Sequence, residues 1–286
     1  MVNYKTGEML CQVSTPVIDP DHPENIPDGA YINRAISATF TPGSVYKIIT
    51  MIAALNEVDD IYTRRFECTG TVEIQGIPVN CHGEHGSQDI KHAFANSCNC
   101  AFAEIAQLVG SENMTKYSQK LGLTKSHKLS GIPTWAGNYE TFPDGSVELS
   151  WSAIGQATNL TCPYSMLRVV SAIANEGTLA EPTLIPYEKK PKTVNLINRD
   201  IAKELKFFML YNVEHTYGTG TFPGLTIGAK TGTAEVGDGT DHAWFVGFLD
   251  DEAHPYAFVV QVERGGGGLS VAGSIANKVL QEAVKR

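Results

Sequence analysis

The sequence predicts a mixed α/β fold of the α+β type: an antiparallel sheet built from both chain ends, flanked by helices, with an inserted, mainly helical lobe. Three observations predict it. Val2-Asn3-Tyr4 reads as the stub of a strand at one end. Residues 243–249 and 256–262 are apolar runs of strand length at the other end, joined by a short polar turn and followed by a helical pattern over 271–284. Between the ends, apolar residues recur mostly at helical spacing. The chain, 1–286, is read as one domain, with a helical lobe over approximately 60–220 and a sheet lobe from 1–59 and 221–286.

Composition narrows the function. With 42% hydrophobic and 19% charged residues in 286, this is an ordinary globular chain. A net charge of −9 argues against nucleic acid and offers no basic face to a membrane. The longest apolar run, residues 48–55 with Thr50 inside it, is too short to span a bilayer. No signal-peptide pattern precedes the first strand-like residues.

Taken in order, Met9 to Val13 extend the first strand after the turn Lys5-Thr6-Gly7-Glu8. Residues 16–40 are rich in Pro, Asp and Asn and read as a loop. Thr41-Pro42-Gly43-Ser44 opens a helix over 44–57 that is apolar nearly all round, as a central buried helix should be. A β-hairpin turns near Gly76. Residues 89–108 split into two helical pieces with Asn96-Ser97-Cys98-Asn99 between them, and Gly110 ends the second. Ser111 reads as the N-cap of a helix over 112–121. Residues 131–146 are a loop. Cys162-Pro163 opens a helix to Asn175, stopped by Gly177. A helix over 201–213 and a strand over 225–229 follow. Gly265 to Gly268 read as a mobile turn. A dinucleotide site is not expected there, because no βαβ unit is completed around these glycines.

The chemistry starts at Ser44. A serine in a first helical turn lies near unpaired N–H groups and the positive end of the helix dipole. Lys47, three residues on, projects from the same face, so that an amine can take the hydroxyl's proton. With 16 Ser and 15 Lys, one Ser-x-x-Lys is expected by chance, so the pair alone proves nothing. Its meaning comes from Ser97-Cys98-Asn99 and Lys230-Thr231-Gly232-Thr233 downstream. Lys5-Thr6-Gly7 repeats the last motif, but in a turn where its lysine points to solvent. Ser111-Glu112-Asn113 repeats the second and is set aside as a helix start.

In this combination and order the chain resembles the transpeptidase domain of class B penicillin-binding proteins, within the serine β-lactamase and penicillin-binding protein superfamily. The resemblance covers essentially the whole chain, and residues 153–177 carry more of it. It implies a peptidoglycan D,D-transpeptidase: a stem peptide ending in D-Ala-D-Ala acylates Ser44, and an amine of a neighbouring strand resolves the ester. It implies Lys47 as base, Ser97 as a proton bridge between Lys47 and Lys230, and Asn99 as an amide for the substrate. Lys230, Thr231 and Thr233 bind the terminal carboxylate, with Gly232 in the same motif. The backbone N–H groups of Ser44 and Thr233 form the oxyanion hole. Stem peptides and β-lactam antibiotics are the expected partners, with no metal or organic cofactor. The site is expected on the outer side of the bacterial cell membrane, with a membrane anchor in the full-length protein that is absent from this stretch.

Two other classes remain open: a serine β-lactamase and a non-enzymatic β-lactam receptor. No Glu-x-x-Leu-Asn stretch lies between Asn99 and Lys230. Ala180 and Ile185 stand where that Asn would follow Glu176 and Glu181. Six cysteines complete the reading. Cys68, Cys81, His82 and His85 invite a zinc site, but they crowd one short stretch, and a β-hairpin with a cysteine on each arm is the plainer account. Because the resembled family works outside the cytoplasm, a Cys68–Cys81 disulfide is expected, with free thiols as the alternative. Cys98 is expected to be a small packed side chain rather than a reactive thiol.

Overall fold

The computed structural model describes residues 1–186 and 190–285. The elements, in chain order, begin with strand β1 (Val2–Asn3) and helix α1 (Lys47–Glu57). Strands β2 (Phe66–Cys68), β3 (Thr71–Ile74), β4 (Ile77–Asn80) and β5 (Gly86–Gln88) follow. Helices α2 (Ile90–Ala95), α3 (Asn99–Val109) and α4 (Ser111–Lys120) come next. Strands β6 (Lys128–Leu129) and β7 (Ile132–Pro133) pair at the start of the expected loop, ahead of α5 (Val147–Ala153) and α6 (Pro163–Ala174). After β8 (Thr178–Ala180), β9 (Thr193–Asn195) and α7 (Arg199–Asn212), the chain ends with β10 (Ile227–Glu235), β11 (Asp241–Leu249), β12 (Tyr256–Val262) and α8 (Ser274–Ala283).

The main sheet is antiparallel, in the order β1-β12-β11-β10, so the chain start pairs with the chain end as expected. Alternation along β11 explains how it is covered. Trp244, Val246 and Phe248 join the main core, while Ala243, Phe245 and Leu249 join a second core with Phe222, Phe258 and Leu280. A strand apolar on both sides needs a layer on both sides. Helix α8 supplies one layer. Helices α6 and α7 pack on the sheet as well, although both lie within the stretch 60–220. Helix α1 is buried from Lys47 to Leu55.

Two expectations change. Residues 9–13 form no ladder: Met9 only bridges Val2, and the backbone N–H groups of Leu10 and Cys11 both donate to the Met1 carbonyl. Ser111 does not cap α4. Gly110 stands at the N-cap, and the Asp144 carboxylate takes the Ser111 N–H instead, at 2.7 Å. At the end of the turn Gly265–Gly268, Gly268 is buried, and a Cβ there would stand 2.6 Å from the Gly232 carbonyl oxygen.

Candidate active site

Ser44 lies in a 3₁₀ turn, Gly43–Tyr46, that runs directly into α1. Side chains three apart eclipse in such a turn. That places Lys47 Nζ 3.1 Å from Ser44 Oγ. Ser97 joins α2 to α3 with φ +52°, in the left-handed region that a serine rarely takes. This kink aims the segment at Lys47. Its Nζ donates to the Ser97 carbonyl, lies 3.2 Å from Ser97 Oγ, and donates to Asn99 Oδ1 at 2.7 Å.

Lys230 arrives from the other side, within β10. The strand runs through the motif and does not stop before it. Lys230 Nζ donates to Ser97 Oγ at 2.9 Å, so one hydroxyl touches both amines. Gly232 lets this happen. A Cβ there would stand 2.7 Å from the Pro42 carbonyl oxygen and 3.0 Å from Val45, so only glycine lets β10 lie directly against the turn that carries Ser44.

Both lysines are fully buried. No salt bridge to either is found among the described residues. Burial pulls Lys47 down to about 7. Burial, together with the charge of Lys47, holds Lys230 well below the ordinary lysine range. The repulsion is reciprocal, so a proton on one amine disfavours a proton on the other. The only π faces near them are Phe102, 5.5 Å from Lys47 Nζ, and Phe94, 5.9 Å from Lys230 Nζ, among the described residues.

The remaining predicted residues are present but engaged. Asn99 Nδ2 donates to the Asn80 carbonyl at 2.9 Å, so its amide is held on both sides. Thr231 donates its N–H to Tyr217 Oη at 2.8 Å, and the two hydroxyls lie 3.0 Å apart. Thr233 is exposed, and its hydroxyl accepts from the Gly268 N–H at 3.3 Å. No motif marks Tyr217, which lies in a π turn, Val213–Gly218. An apolar groove of about 450 Å³ between the N-terminal segment, β12 and α8 contains none of these residues.

Beside Ser97, four soft donor groups converge. Cys68, Cys81, His85 and Cys98 each place one donor atom so that all four lie within 4.8 Å of one another. The expected disulfide is not formed: Cys68 and Cys81 are free thiols that both contact His85, and Cys81 also contacts Cys98. His82, named with them from the sequence, is exposed and outside the cluster; Cys98, read there as simple packing, is inside it. The hairpin itself is as expected, with Ile74 paired to Ile77 across Gln75-Gly76, both at positive φ.

Comparison with known proteins fits this geometry. Residues 1–281 match the penicillin binding protein transpeptidase domain. The chain is 28% identical over 318 residues to the peptidoglycan D,D-transpeptidase PbpA of Mycobacterium tuberculosis, covering 98% of this chain and 64% of that protein. It is 30% identical over 311 residues to stage V sporulation protein D of Bacillus subtilis, covering 98% and 47%. It therefore spans less than two thirds of either relative. The structure of penicillin-binding protein A from M. tuberculosis as a ceftriaxone acyl-enzyme superposes with a TM-score of 0.87 at 24% identity, over 98% of this chain and 72% of that one. The chain belongs to the penicillin-binding protein transpeptidase domain family.

Proposed function

We propose that this domain is a D,D-transpeptidase that cross-links peptidoglycan stem peptides through an acyl-enzyme on Ser44. One observation carries the reading: Ser97 Oγ lies within hydrogen-bond reach of two fully buried amines, one of which also reaches Ser44 Oγ. Neutral Lys47 takes the Ser44 proton as the hydroxyl attacks the D-Ala-D-Ala peptide carbon. The proton passes by way of Ser97 to the leaving D-Ala amine. Lys230 faces the donor's terminal carboxylate, whose charge favours protonated Lys230 once it arrives. The Thr233 carbonyl faces Gly43, and in an antiparallel strand N–H and C=O of one residue point the same way. The Thr233 N–H therefore faces the Ser44 turn, where an oxyanion forms. β-Lactams carry the same carboxylate and a strained amide, and acylate the same serine.

Slow hydrolysis of the ester separates this reading from a β-lactamase. Glu176 is paired with Arg199, and Glu181 with Arg168, so neither is a spare base for water. Asn99, at the third position of the second motif, is polar and bonded to Lys47. A site on the outer face of the bacterial membrane follows from the substrate. Among the described residues, no helix is long and apolar enough to cross a membrane.

The test is intact-mass spectrometry with a penicillin, together with release of D-Ala from a stem-peptide donor in the presence of an amine. One adduct per chain that persists for minutes to hours, and its loss in Ser44→Ala, are expected. An adduct that survives Ser44→Ala sinks the assignment of the nucleophile. Steady consumption of nitrocefin at more than about one turnover per second makes the domain a β-lactamase instead.

A further inference from the structure

We propose that Cys68, Cys81, His85 and Cys98 bind one zinc ion, and that this ion fixes the segment carrying Ser97 and Asn99. The donor set is three thiols and an imidazole, the soft set that selects zinc among common divalent ions. Three of the donor-to-donor distances match the edges of a tetrahedron around one metal. Zinc bonds of about 2.3 Å to sulfur and about 2.0 Å to nitrogen require sulfur–sulfur edges of about 3.8 Å and sulfur–nitrogen edges of about 3.5 Å. Cys81 Sγ and Cys98 Sγ are 3.9 Å apart, and His85 Nδ1 is 3.4 Å from Cys68 Sγ and 3.6 Å from Cys81 Sγ. These three edges lie within about 0.1 Å of the required lengths, and all four donor atoms lie within 4.8 Å of one another.

The backbone around the cluster suits bound thiolates. The Asn99 N–H points at Cys81 Sγ at 3.3 Å, and the Ala101 N–H at Cys98 Sγ at 3.4 Å. Both N–H groups belong to the first turn of α3, where the dipole favours negative charge. Four protein ligands close the coordination shell, so the ion is structural and leaves no position for substrate or water. Binding releases the thiol protons to solvent.

The placement gives the ion a task. Cys98 stands between Ser97, which bonds both lysines, and Asn99, which bonds Lys47. The other three ligands come from the end of β2, the residue after β4 and the residue before β5. The ion therefore ties a hairpin of two short strands, too small to be stable alone, to the kink at Ser97. Cys98 acts as a positioning residue, and its sulfur takes no part in acylation. This consequence rests on the serine-acylation reading above, whereas the zinc content does not.

The test uses the whole chain, purified under reducing conditions and measured for metal by mass spectrometry. One zinc per chain is expected, lost in Cys68→Ser and retained in Cys11→Ser, whose thiol lies outside the cluster. Replacement of the ion by Co(II) in the wild-type protein should give the visible bands of a tetrahedral thiolate site, a readout that needs no variant to fold. Chelation should slow penicillin acylation by about 10²-fold, the usual cost of misplacing a reacting group by an ångström, and added zinc should restore it. Reduced protein that takes up no zinc from solution overturns the site. Zinc that can be removed and restored without any change in acylation overturns its role at Ser97. Zinc bound by a protein that never acylates refutes the enzyme reading and leaves the metal site standing.

Discussion

The chain spells Lys-Thr-Gly twice, and the two copies have opposite physical chemistry. Lys5 is exposed, and its Nζ rests on the side chain of Asn175 at 2.8 Å. Lys230 is fully buried and donates to Ser97. The first copy lies in a turn, with Gly7 at φ +77°. The second lies inside β10, where alternation sends Lys230 inward and Thr231 outward. A tripeptide therefore carries no chemistry by itself. Desolvation by the flanking strand and by the Ser44 turn is what sets Lys230 apart from Lys5.

Replacing each lysine by alanine makes the largest test. Lys230→Ala removes a donor from Ser97 and the partner for the donor carboxylate. Acylation by penicillin should fall by about 10² or more, in the range of a lost acid–base group. Lys5→Ala should leave the rate unchanged. Equal effects in stopped-flow labelling would break the comparison.

The pH profile sharpens it next. The proposed acylation needs Lys47 without its proton, and burial places that titration at about 7. The rate should fall about tenfold per pH unit below 7, because only the neutral fraction reacts, and level off above it. A midpoint near 10, where a solvated lysine titrates, would show that burial does not tune the amine.

Legibility in the sequence followed the same division between local and distant causes. Helix α1, the hairpin at Gly76 and the strands of the C-terminal half were readable because period, caps and turn residues are local signals. The sheet's use of both chain ends was readable from where the strands lie. Residues 9–13 looked like a strand, but the Met1 carbonyl takes the N–H groups that a ladder would need. Ser44, Lys47, Ser97, Asn99 and Lys230 were nameable by motif. That both lysines converge on the Ser97 hydroxyl depends on the positive φ of Ser97 and on the room left by Gly232, and neither has a periodic signature. The thiol cluster was half visible: Cys68, Cys81 and His85 stood out, but Cys98 joins them only through the α2–α3 kink.

The glycines of the two copies make the third test. Gly232→Ala puts a Cβ 2.7 Å from the Pro42 carbonyl oxygen, so the turn with Ser44 must retreat. A cost of about 1–3 kcal/mol in stability is expected, as for overpacking, together with slower acylation. Gly7→Ala meets the Glu181 carbonyl oxygen at 2.4 Å in a left-handed turn. It should lower the melting temperature comparably, at about 1–2 kcal/mol for the backbone alone, with acylation of the folded fraction intact. Slowed acylation in the folded Gly7→Ala protein would mean that the N-terminal turn is coupled to the site.

The smallest expected effect belongs to Tyr217, which only the second copy possesses. Its hydroxyl accepts the Thr231 N–H at 2.8 Å and lies 3.0 Å from Thr231 Oγ1. Tyr217→Phe keeps the ring packed near Phe245, at 6.1 Å between centroids, and removes only these bonds. A part-buried N–H then lacks its acceptor, which costs about 1–3 kcal/mol. Strand β10 remains anchored through its pairing with β11, so Lys230 should stay in place and acylation should slow by less than about tenfold, the loss expected from small shifts of a bound group. If Tyr217→Phe proved as damaging as Lys230→Ala, the weight of the comparison would move from the desolvated amine to the backbone beside it. The exposed copy at Lys5 would then fail for want of a tyrosine as much as for want of burial.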